Sequence, residues 1–316
     1  MHERSDEMYL AASLYYVQDE TMESIARQLN ISRSTVSRLL KQARESGMVK
    51  ITLANPAGPH TSLGETIGRH FGVRAHVVPV RDGASDVHRL ERVARAAGQL
   101  ISEAVKDNMV IGTAWGTTLG SVVQYLQPND VKGTVVVQMN GAASPTNSGM
   151  PYVGGIISQF AQAFNSQVVP FPVPTLFDFA ETKQAMWRER SVRNVLALHH
   201  KIDLAVFGVG GLSSELPSHV YSAGYLDERD MEQLRIERVV GDVNTVFLRE
   251  DGTWTDVPIN ARASGMLPSQ LRAVPRRICV VAGVAKASPL LGALRAGVAT
   301  DVVLDEALAK TLLTRL

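Results

Sequence analysis

Residues 20–47 read ETMESIARQLNISRSTVSRLLKQARESG, and this segment carries two runs of apolar residues at helical spacing. Apolar residues that recur three or four positions apart form one face of an amphipathic helix. The two runs therefore predict two short helices that share one core. The residues predicted to face inward are Met22, Ile25, Ala26 and Leu29 in the first helix and Val36, Leu39, Leu40 and Ala43 in the second.

The residues around the two runs favour a tight turn between capped helices. Asn30 lies where the chain must reverse, and asparagine tolerates the left-handed backbone conformation better than any residue except glycine. Thr21 and Ser32 each precede a helical run, where a hydroxyl oxygen can accept a hydrogen bond from a helix N–H group. We therefore predict a helix-turn-helix with Thr21 and Ser32 as its N-caps.

The outward face of the second helix is suited to DNA. Residues 24–50 contain six basic residues against one acid, whereas the residues before them are mainly acidic, so positive charge is concentrated near this helix. Small hydroxyl side chains allow close approach to a groove, and Arg and Lys reach base edges and phosphates. An ordinary helix pair with a solvated charged face is the alternative. The residues predicted to contact DNA are Arg33, Ser34, Thr35, Ser37, Arg38 and Lys41.

The composition excludes several classes of protein. A length of 316 residues favours about two domains, and a net charge of +1 argues against a general polyanion binder. The single cysteine, Cys279, excludes a disulfide framework and a cysteine metal cluster. The chain shows neither an apolar signal region at its start nor an apolar run that could span a bilayer. We therefore expect a cytoplasmic protein without membrane contact.

A change in pattern near residue 57 predicts a domain boundary. A helix over residues 6–17 is expected to complete a three-helix domain, and the alternating residues 48–53 predict a short strand or wing. Residues 54–59 read ANPAGP, which breaks regular structure. We therefore predict a DNA-binding helix-turn-helix domain over residues 1–57 and a larger domain over residues 58–316.

The larger domain alternates strand-length apolar runs with longer helical stretches. This alternation predicts a doubly wound α/β fold with a mostly parallel sheet, in which ligands bind beyond the carboxyl ends of the strands. Candidate strands cover residues 75–80, 109–113, 134–139, 167–171, 204–208, 278–282 and 301–304. Candidate helices cover residues 86–105, 118–126, 154–164, 181–198, 288–295 and 305–313.

One strand end carries a loop that suits an anion or a hydroxylated ligand. The strand over residues 109–111 is followed by GTAWGTT, residues 112–118, which leads directly into a helix. Glycines permit close backbone approach, hydroxyls donate hydrogen bonds, and a helix N-terminus favours negative charge. A tight turn with a threonine cap is the alternative. The predicted ligand contacts in this loop are Gly112, Thr113, Gly116, Thr117 and Thr118.

Other strand ends add further candidates for the same site. Gln138 and Asn140 are amides that could bind hydroxyl groups, and Gly210 lies in a glycine-rich exit that could equally be a plain turn. Lys286 lies on a loop just before a helix, where its ammonium could face an anion held by the threonine loop. Asp178 is included only because it follows a strand.

The sequence contains no motif of a known cofactor or catalytic nucleophile. A Gly-x-Ser-x-Gly elbow, a Walker loop and a complete dinucleotide fingerprint do not occur, so neither a cofactor nor a metal is expected. His199 and His200 are adjacent, so they cannot share a helix face as metal ligands do. We expect both histidines on the surface at a helix end.

Five short motifs follow one another over most of the chain, namely IGTAWGTTL at 111–119, VQMNG at 137–141, DLAVFGVG at 203–210, VGDV at 240–243 and VAGVAK at 281–286. Together these motifs resemble the SorC family of bacterial sugar-responsive transcriptional regulators, and the likeness covers nearly the whole chain in order. The resemblance implies a C-terminal sugar-binding effector and oligomerisation domain, similar to ribose-phosphate isomerases and glucosamine-phosphate deaminases but without catalysis. It implies an effector held over residues 112–118 with Lys286 opposite, and a homodimer or homotetramer. Thr117 replaces a frequent basic residue, which leaves an uncharged effector open.

The expected function is control of operator binding on double-stranded DNA by a sugar, polyol or sugar-phosphate effector. The first alternative is an active sugar-phosphate isomerase or deaminase fused to a DNA-binding domain. In the deaminases, an Asp-Gly-His sequence follows the position of Gly210 and supplies catalytic groups. Here residues 211–214 read GLSS instead, so we do not expect an enzyme. A scaffold that uses its first helices for protein contacts is the second alternative.

Overall fold

A computed structural model describes residues 2–49, 59–143, 150–212 and 218–316 of the chain. The chain divides into two compact units, Met1–Pro56 and Ala57–Leu316. Within the described ranges, no helix has both the length and the apolar character needed to cross a membrane.

The N-terminal unit contains the predicted helix-turn-helix. Its helices are α1 His2–Tyr16, α2 Met22–Gln28 and α3 Arg33–Glu45. The oxygens of Thr21 and Ser32 accept hydrogen bonds from the backbone N–H groups of Ser24 and Thr35 at 3.2 and 3.1 Å, which confirms both N-caps. Asn30 has a φ of 52°, as the turn requires. The fully or nearly fully buried apolar residues of this unit are Ala11, Ala12, Leu14, Ile25, Val36, Leu39, Leu40 and Ala43.

A predicted strand or wing follows the third helix in the sequence, and most of it cannot be compared with the structure. Residues 50–53 of this segment lie outside the described residues. Met48 and Val49 are described, and neither is part of a strand.

The larger unit is built on a parallel sheet that contains all seven predicted strands. The strands of this unit are β1 Arg74–Val78, β2 Val110–Thr113, β3 Val135–Gln138, β4 Gln167–Val169, β5 Leu204–Gly208, β6 Gly210–Gly211, β7 Val239–Val243, β8 Val246–Arg249, β9 Arg276–Val281 and β10 Asp301–Asp305. The order in the parallel sheet is β1-β10-β9-β5-β2-β3-β4, and every neighbouring pair is parallel. Its strands are rich in Val, Ile and Leu because helices cover both faces of the sheet.

Helices pack on both sides of this sheet over two apolar cores, as in a doubly wound fold. The helix Pro59–Phe71 was not predicted, and the single helix predicted over residues 181–198 is two helices, Ala180–Met186 and Arg190–His199. The helices of this unit are α4 Pro59–Phe71, α5 Asp86–Ala104, α6 Thr117–Val122, α7 Met150–Ala163, α8 Ala180–Met186, α9 Arg190–His199, α10 His219–Ser222, α11 Glu228–Ile236, α12 Pro268–Leu271, α13 Ala287–Arg295 and α14 Glu306–Leu313.

A small antiparallel sheet, which was not predicted, begins just after β5. Its order is β6-β7-β8, and Gly210 pairs with Asp242. The hairpin between β7 and β8 turns through Asn244 and Thr245, whose φ angles are 51° and 63°. This sheet therefore brings Asp242 and Asn244 close to the carboxyl end of β5.

The prediction for His199 was wrong. Its side chain is buried, with a relative exposure of 3%, and Nε2 lies 2.9 Å from the backbone oxygen of Gln138. The ring also meets Phe171 edge to face at 5.3 Å. Burial lowers the pKa of His199, so its neutral ring is a packing element of the core.

Candidate functional site

A cavity opens at the carboxyl ends of the central strands. It follows β2, β3, β5 and β9 and is closed on one side by the β7–β8 hairpin. Such a position is where doubly wound folds bind ligands. The cavity brings together six of the ten predicted ligand contacts, namely Gly116, Thr117, Thr118, Asn140, Gly210 and Lys286.

Lys286 is a buried cation on the cavity wall. It ends a short 3₁₀ turn, Val284–Lys286, and its relative exposure is 7%. Its Nζ donates hydrogen bonds to the backbone oxygen of Val209 at 2.9 Å and to Ser218 Oγ at 2.7 Å. Burial lowers the pKa of Lys286 to about 8, although the charges of Asp242 and Asp86 oppose this shift. The ammonium is thus held in place with donor capacity for a third partner.

Asp242 is the carboxylate of the cavity, and the sequence analysis did not select it as a site residue. Its relative exposure is 5%, and it accepts hydrogen bonds from Tyr221 OH and from the backbone N–H of Thr245, both at 2.9 Å. Burial raises the pKa of Asp242, while these two hydrogen bonds and the charge of Lys286 lower it. Burial and the neighbouring carboxylate raise the pKa of Tyr221 well above its ordinary value, so Tyr221 remains a donor.

The threonine loop forms the opposite wall. Gly116 has a φ of 130° and precedes α6, and a Cβ at this position would meet no atom within 4 Å. A hydrogen bond with Thr117 lowers the pKa of Tyr152, although burial raises it more. Gly208 lies against Thr118, since a Cβ there would lie 3.3 Å from Thr118 Cβ. The loop therefore presents a helix N-terminus and a hydroxyl side chain to the cavity.

An aromatic cluster borders the cavity, and the sequence analysis missed it. His219 stacks on Tyr152 with ring centroids 4.6 Å apart and meets the edge of Trp115 at 5.9 Å. Trp115 is fixed because its Nε1 donates to the backbone oxygen of Gly141 at 2.9 Å. Burial lowers the pKa of His219, which favours a neutral ring at this wall. Apolar rings with few polar groups are typical of small-molecule sites.

Two asparagine side chains of the cavity wall have polar atoms without a hydrogen-bond partner among the described residues. Asn140 is 2% exposed and Asn244 is 4% exposed. Within the described residues, Asn140 Oδ1 and both Nδ2 and Oδ1 of Asn244 make no hydrogen bond. Buried polar atoms are almost always paired, so these atoms are candidates for ligand contacts.

Two predicted contacts in β2 are buried beneath the cavity rather than on its wall. Gly112 packs in β2, where a Cβ would collide with Ile202 and Met139. Thr113 is fully buried, and its hydroxyl donates to the backbone oxygen of Ala114 at 2.9 Å. These residues support the wall through packing.

Gln138 and Asp178 also lie away from the cavity wall. Gln138 accepts from the backbone N–H of Phe171 at 3.0 Å and donates to the backbone oxygen of Asn140 at 2.6 Å. Gln138 therefore supports Asn140 from behind. Asp178 is exposed and lines a separate cleft next to Phe179. Asp178 is therefore not part of the cavity around Lys286.

The predicted DNA-facing residues share the accessible face of α3. Arg33, Ser34, Ser37, Arg38 and Lys41 are exposed, and Thr35 is partly buried. Arg33 Nε lies 2.8 Å from Glu23 Oε1, and Lys41 Nζ lies 3.7 Å from Glu45 Oε1. Such exposed pairs are weak, so both cations can exchange their partner for a phosphate.

Two family models match the chain in this order. Residues 13–46 match the model described as "Sigma-70, region 4", and residues 56–314 match the model described as "Putative sugar-binding domain". The second match covers most of the chain and contains every residue of the cavity. The first match contains α2 and all of α3.

Relatives and solved structures agree with these matches. The chain is 34% identical over 309 residues to the deoxyribonucleoside regulator of Bacillus subtilis (strain 168), covering 97% of this chain and 96% of that protein. It is 44% identical, with a TM-score of 0.76, to a domain of a possible sugar-binding transcriptional regulator from Arthrobacter aurescens TC1, covering 82% and 99%. The full-length sorbitol operon regulator SorC from Klebsiella pneumoniae has the same fold, with 24% identity, a TM-score of 0.79 and 97% coverage of both chains.

Proposed function

The chain belongs to the SorC family of sugar-binding-domain transcriptional regulators, and we propose that the cavity around Lys286 is the effector site that controls its hold on operator DNA. The observation that carries this proposal is the convergence on one cavity of a buried ammonium, a threonine loop and two asparagines with amide atoms that have no partner among the described residues. Each group comes from a different strand end, and they share no structural task that would place them together.

The cavity suits a small hydroxylated ligand. Lys286, Thr117 and the N-terminus of α6 supply donors, whereas Asp242 and the two asparagines supply acceptors. The aromatic cluster adds an apolar surface, on which the carbon face of a sugar ring can pack. We therefore propose a sugar, polyol or sugar phosphate as the effector, and the name of the Bacillus subtilis relative makes deoxyribose compounds sensible first probes.

We propose that α3 is the helix that binds operator DNA. Its exposed hydroxyl and basic side chains suit a helix that lies in the major groove, with Arg38 and Lys41 on phosphates or base edges. Helix-turn-helix proteins read paired half-sites as symmetric dimers. We therefore propose that the chain acts as a homodimer or homotetramer, so that effector binding can change the spacing of two reading helices.

We propose that the cavity binds its effector without turnover. Residues 211–214 read GLSS, so the Asp-Gly-His that follows the corresponding glycine in the deaminases is missing after Gly210. Turnover assays with ribose 5-phosphate and glucosamine 6-phosphate test this point. Product formation above that of a Lys286→Met variant would contradict it.

The effector site is tested with the full chain and one matched pair of variants. Lys286→Met should abolish the rise in melting temperature that sugars, polyols or their phosphates cause in the wild type, because a ligand specific for the native state stabilises it. Lys183→Met is the control, since Lys183 is also partly buried but lies outside the cavity, with Nζ 3.5 Å from the backbone oxygen of Asn260. Equal ligand responses in the wild type and Lys286→Met would refute the site.

A further inference from the structure

The two unpaired asparagines of the cavity are the least satisfied polar groups in its wall. Asn140 leaves its Oδ1 without a partner, and Asn244 leaves both Oδ1 and Nδ2 without one, within the described residues. The burial of an unpaired amide destabilises the native state. Two such residues on one wall therefore indicate a purpose other than folding.

Asn140 is held by the loop that contains residues 264–266. The backbone N–H of Gly141 donates to Ser264 Oγ at 3.0 Å, and the backbone N–H of Met266 donates to the oxygen of Met139 at 3.0 Å. Both neighbours of Asn140 are thus fixed to this loop. The position of its side chain is set before any ligand arrives.

Asn244 is backed by the same loop. Gly265 lies directly against the backbone oxygen of Asn244, so that a Cβ at residue 265 would collide with it. Asp242 accepts from the N–H of Thr245 at 2.9 Å and so closes the hairpin turn around Asn244. Gly265 therefore supports Asn244 from the same loop that fixes the neighbours of Asn140.

The turn between β7 and β8 holds Thr245 in an unfavourable backbone conformation, which is a second sign of function. Thr245 has a φ of 63°, and a β-branched residue rarely adopts the left-handed conformation. Residues in such conformations persist where the surrounding structure forces them, and they cluster at ligand sites. Here the forced conformation holds the amide of Asn244 in the cavity wall.

We infer that Asn140 and Asn244 form one subsite that recognises hydroxyl groups of the effector and determines which sugars or polyols bind. The inference rests on the proposed effector site. Asn140 Oδ1 can only accept, so its ligand atom must donate, which an ionised phosphate cannot do. Asn244 offers one acceptor and one donor group, and a hydroxyl can serve both. Neighbouring hydroxyls therefore face this pair, while Lys286 contacts another part of the same ligand.

The variants are chosen to remove each amide without disturbing its backbone. Asn244→Gly keeps the positive φ, which an alanine would strain, and Asn140→Ala removes the unpaired oxygen. Asn165→Gly is the matched control, because Asn165 is exposed, has a φ of 46° and lies outside the cavity. Thermal melting without ligand, monitored by tryptophan fluorescence, establishes that each variant is folded.

Titration calorimetry with probes that differ by one hydroxyl tests the inference. The pairs are D-ribose with 2-deoxy-D-ribose, the 5-phosphates of these two sugars, and D-glucose with 2-deoxy-D-glucose. The wild type should prefer the hydroxylated member of at least one pair by roughly tenfold, because its absence leaves a buried amide unpaired. Asn244→Gly or Asn140→Ala should bring that ratio to about one, whereas Asn165→Gly should keep it.

Two outcomes overturn the inference. In the first, both asparagine variants retain the wild-type preference for the hydroxylated sugar over its deoxy partner, while Lys286→Met abolishes binding. This outcome leaves the proposed effector site intact. The second is a wild-type protein that binds inorganic phosphate but none of the sugars. Binding of a sugar to Lys286→Met with wild-type affinity is a different result, because it refutes the effector site itself.

Discussion

Replacing Lys286 by methionine should change how the stability of the larger unit depends on pH. The ordinary pKa of a lysine is 10.5, and burial lowers that of Lys286 to about 8. Between these values the unfolded chain binds more protons than the native protein, so the free energy of unfolding rises with pH. The full shift corresponds to about 3 kcal/mol, of which about 2 kcal/mol should be recovered between pH 7 and pH 9.5.

Urea denaturation of the wild type and Lys286→Met at both pH values measures this effect. Trp115, Trp187 and Trp254 all lie in the larger unit, so tryptophan fluorescence follows that unit alone. The free energy of unfolding of the wild type relative to the variant should rise by about 2 kcal/mol at the higher pH. Lys183→Met should show a smaller change, because Lys183 is less buried. A difference independent of pH would refute the claim that Lys286 is held as a desolvated cation.

Three further predictions concern the DNA-reading helix α3, the buried hydrogen bond between Tyr221 and Asp242, and the core of the N-terminal unit. Arg38→Ala and Lys41→Ala should each weaken operator binding and reduce the slope of log K against log salt concentration by about 0.9, and unchanged slopes would exclude phosphate contacts. Tyr221→Phe should raise the pKa of Asp242 further, because it removes a donor, and should cost roughly 1–2 kcal/mol in urea denaturation. Ile25→Ala should destabilise the helix-turn-helix by about 2–4 kcal/mol, measured by circular dichroism, and leave tryptophan fluorescence unfolding unchanged.

The sequence was most informative where periodicity and burial agree. All seven strands of the parallel sheet were predicted, because each is a short apolar run covered on both faces. The caps Thr21 and Ser32 and the turn at Asn30 were also predicted, since their signals are local. The predicted helix over residues 181–198 was too long, because its periodicity continues across the break at residues 187–189.

The parts of the cavity that were missed depend on contacts between distant segments. Asn244 enters through a hairpin whose first strand, β7, contains glycine and aspartate, a composition that does not favour a strand. Ser218 and His219 reach the cavity from a segment without an apolar pattern. Asp178 follows β4 only after a loop that carries it into another cleft, so proximity to a strand end in sequence was an insufficient guide.

The most direct test of the account is whether occupation of the Lys286 cavity changes DNA binding. Fluorescence anisotropy would follow the full chain on a duplex selected by the chain from random DNA, with and without a sugar that raises its melting temperature. We predict that the sugar changes the dissociation constant of the wild type severalfold, and that Lys286→Met binds the duplex as the wild type does but ignores the sugar. A sugar that stabilises the wild type and leaves its dissociation constant for DNA unchanged would contradict the account.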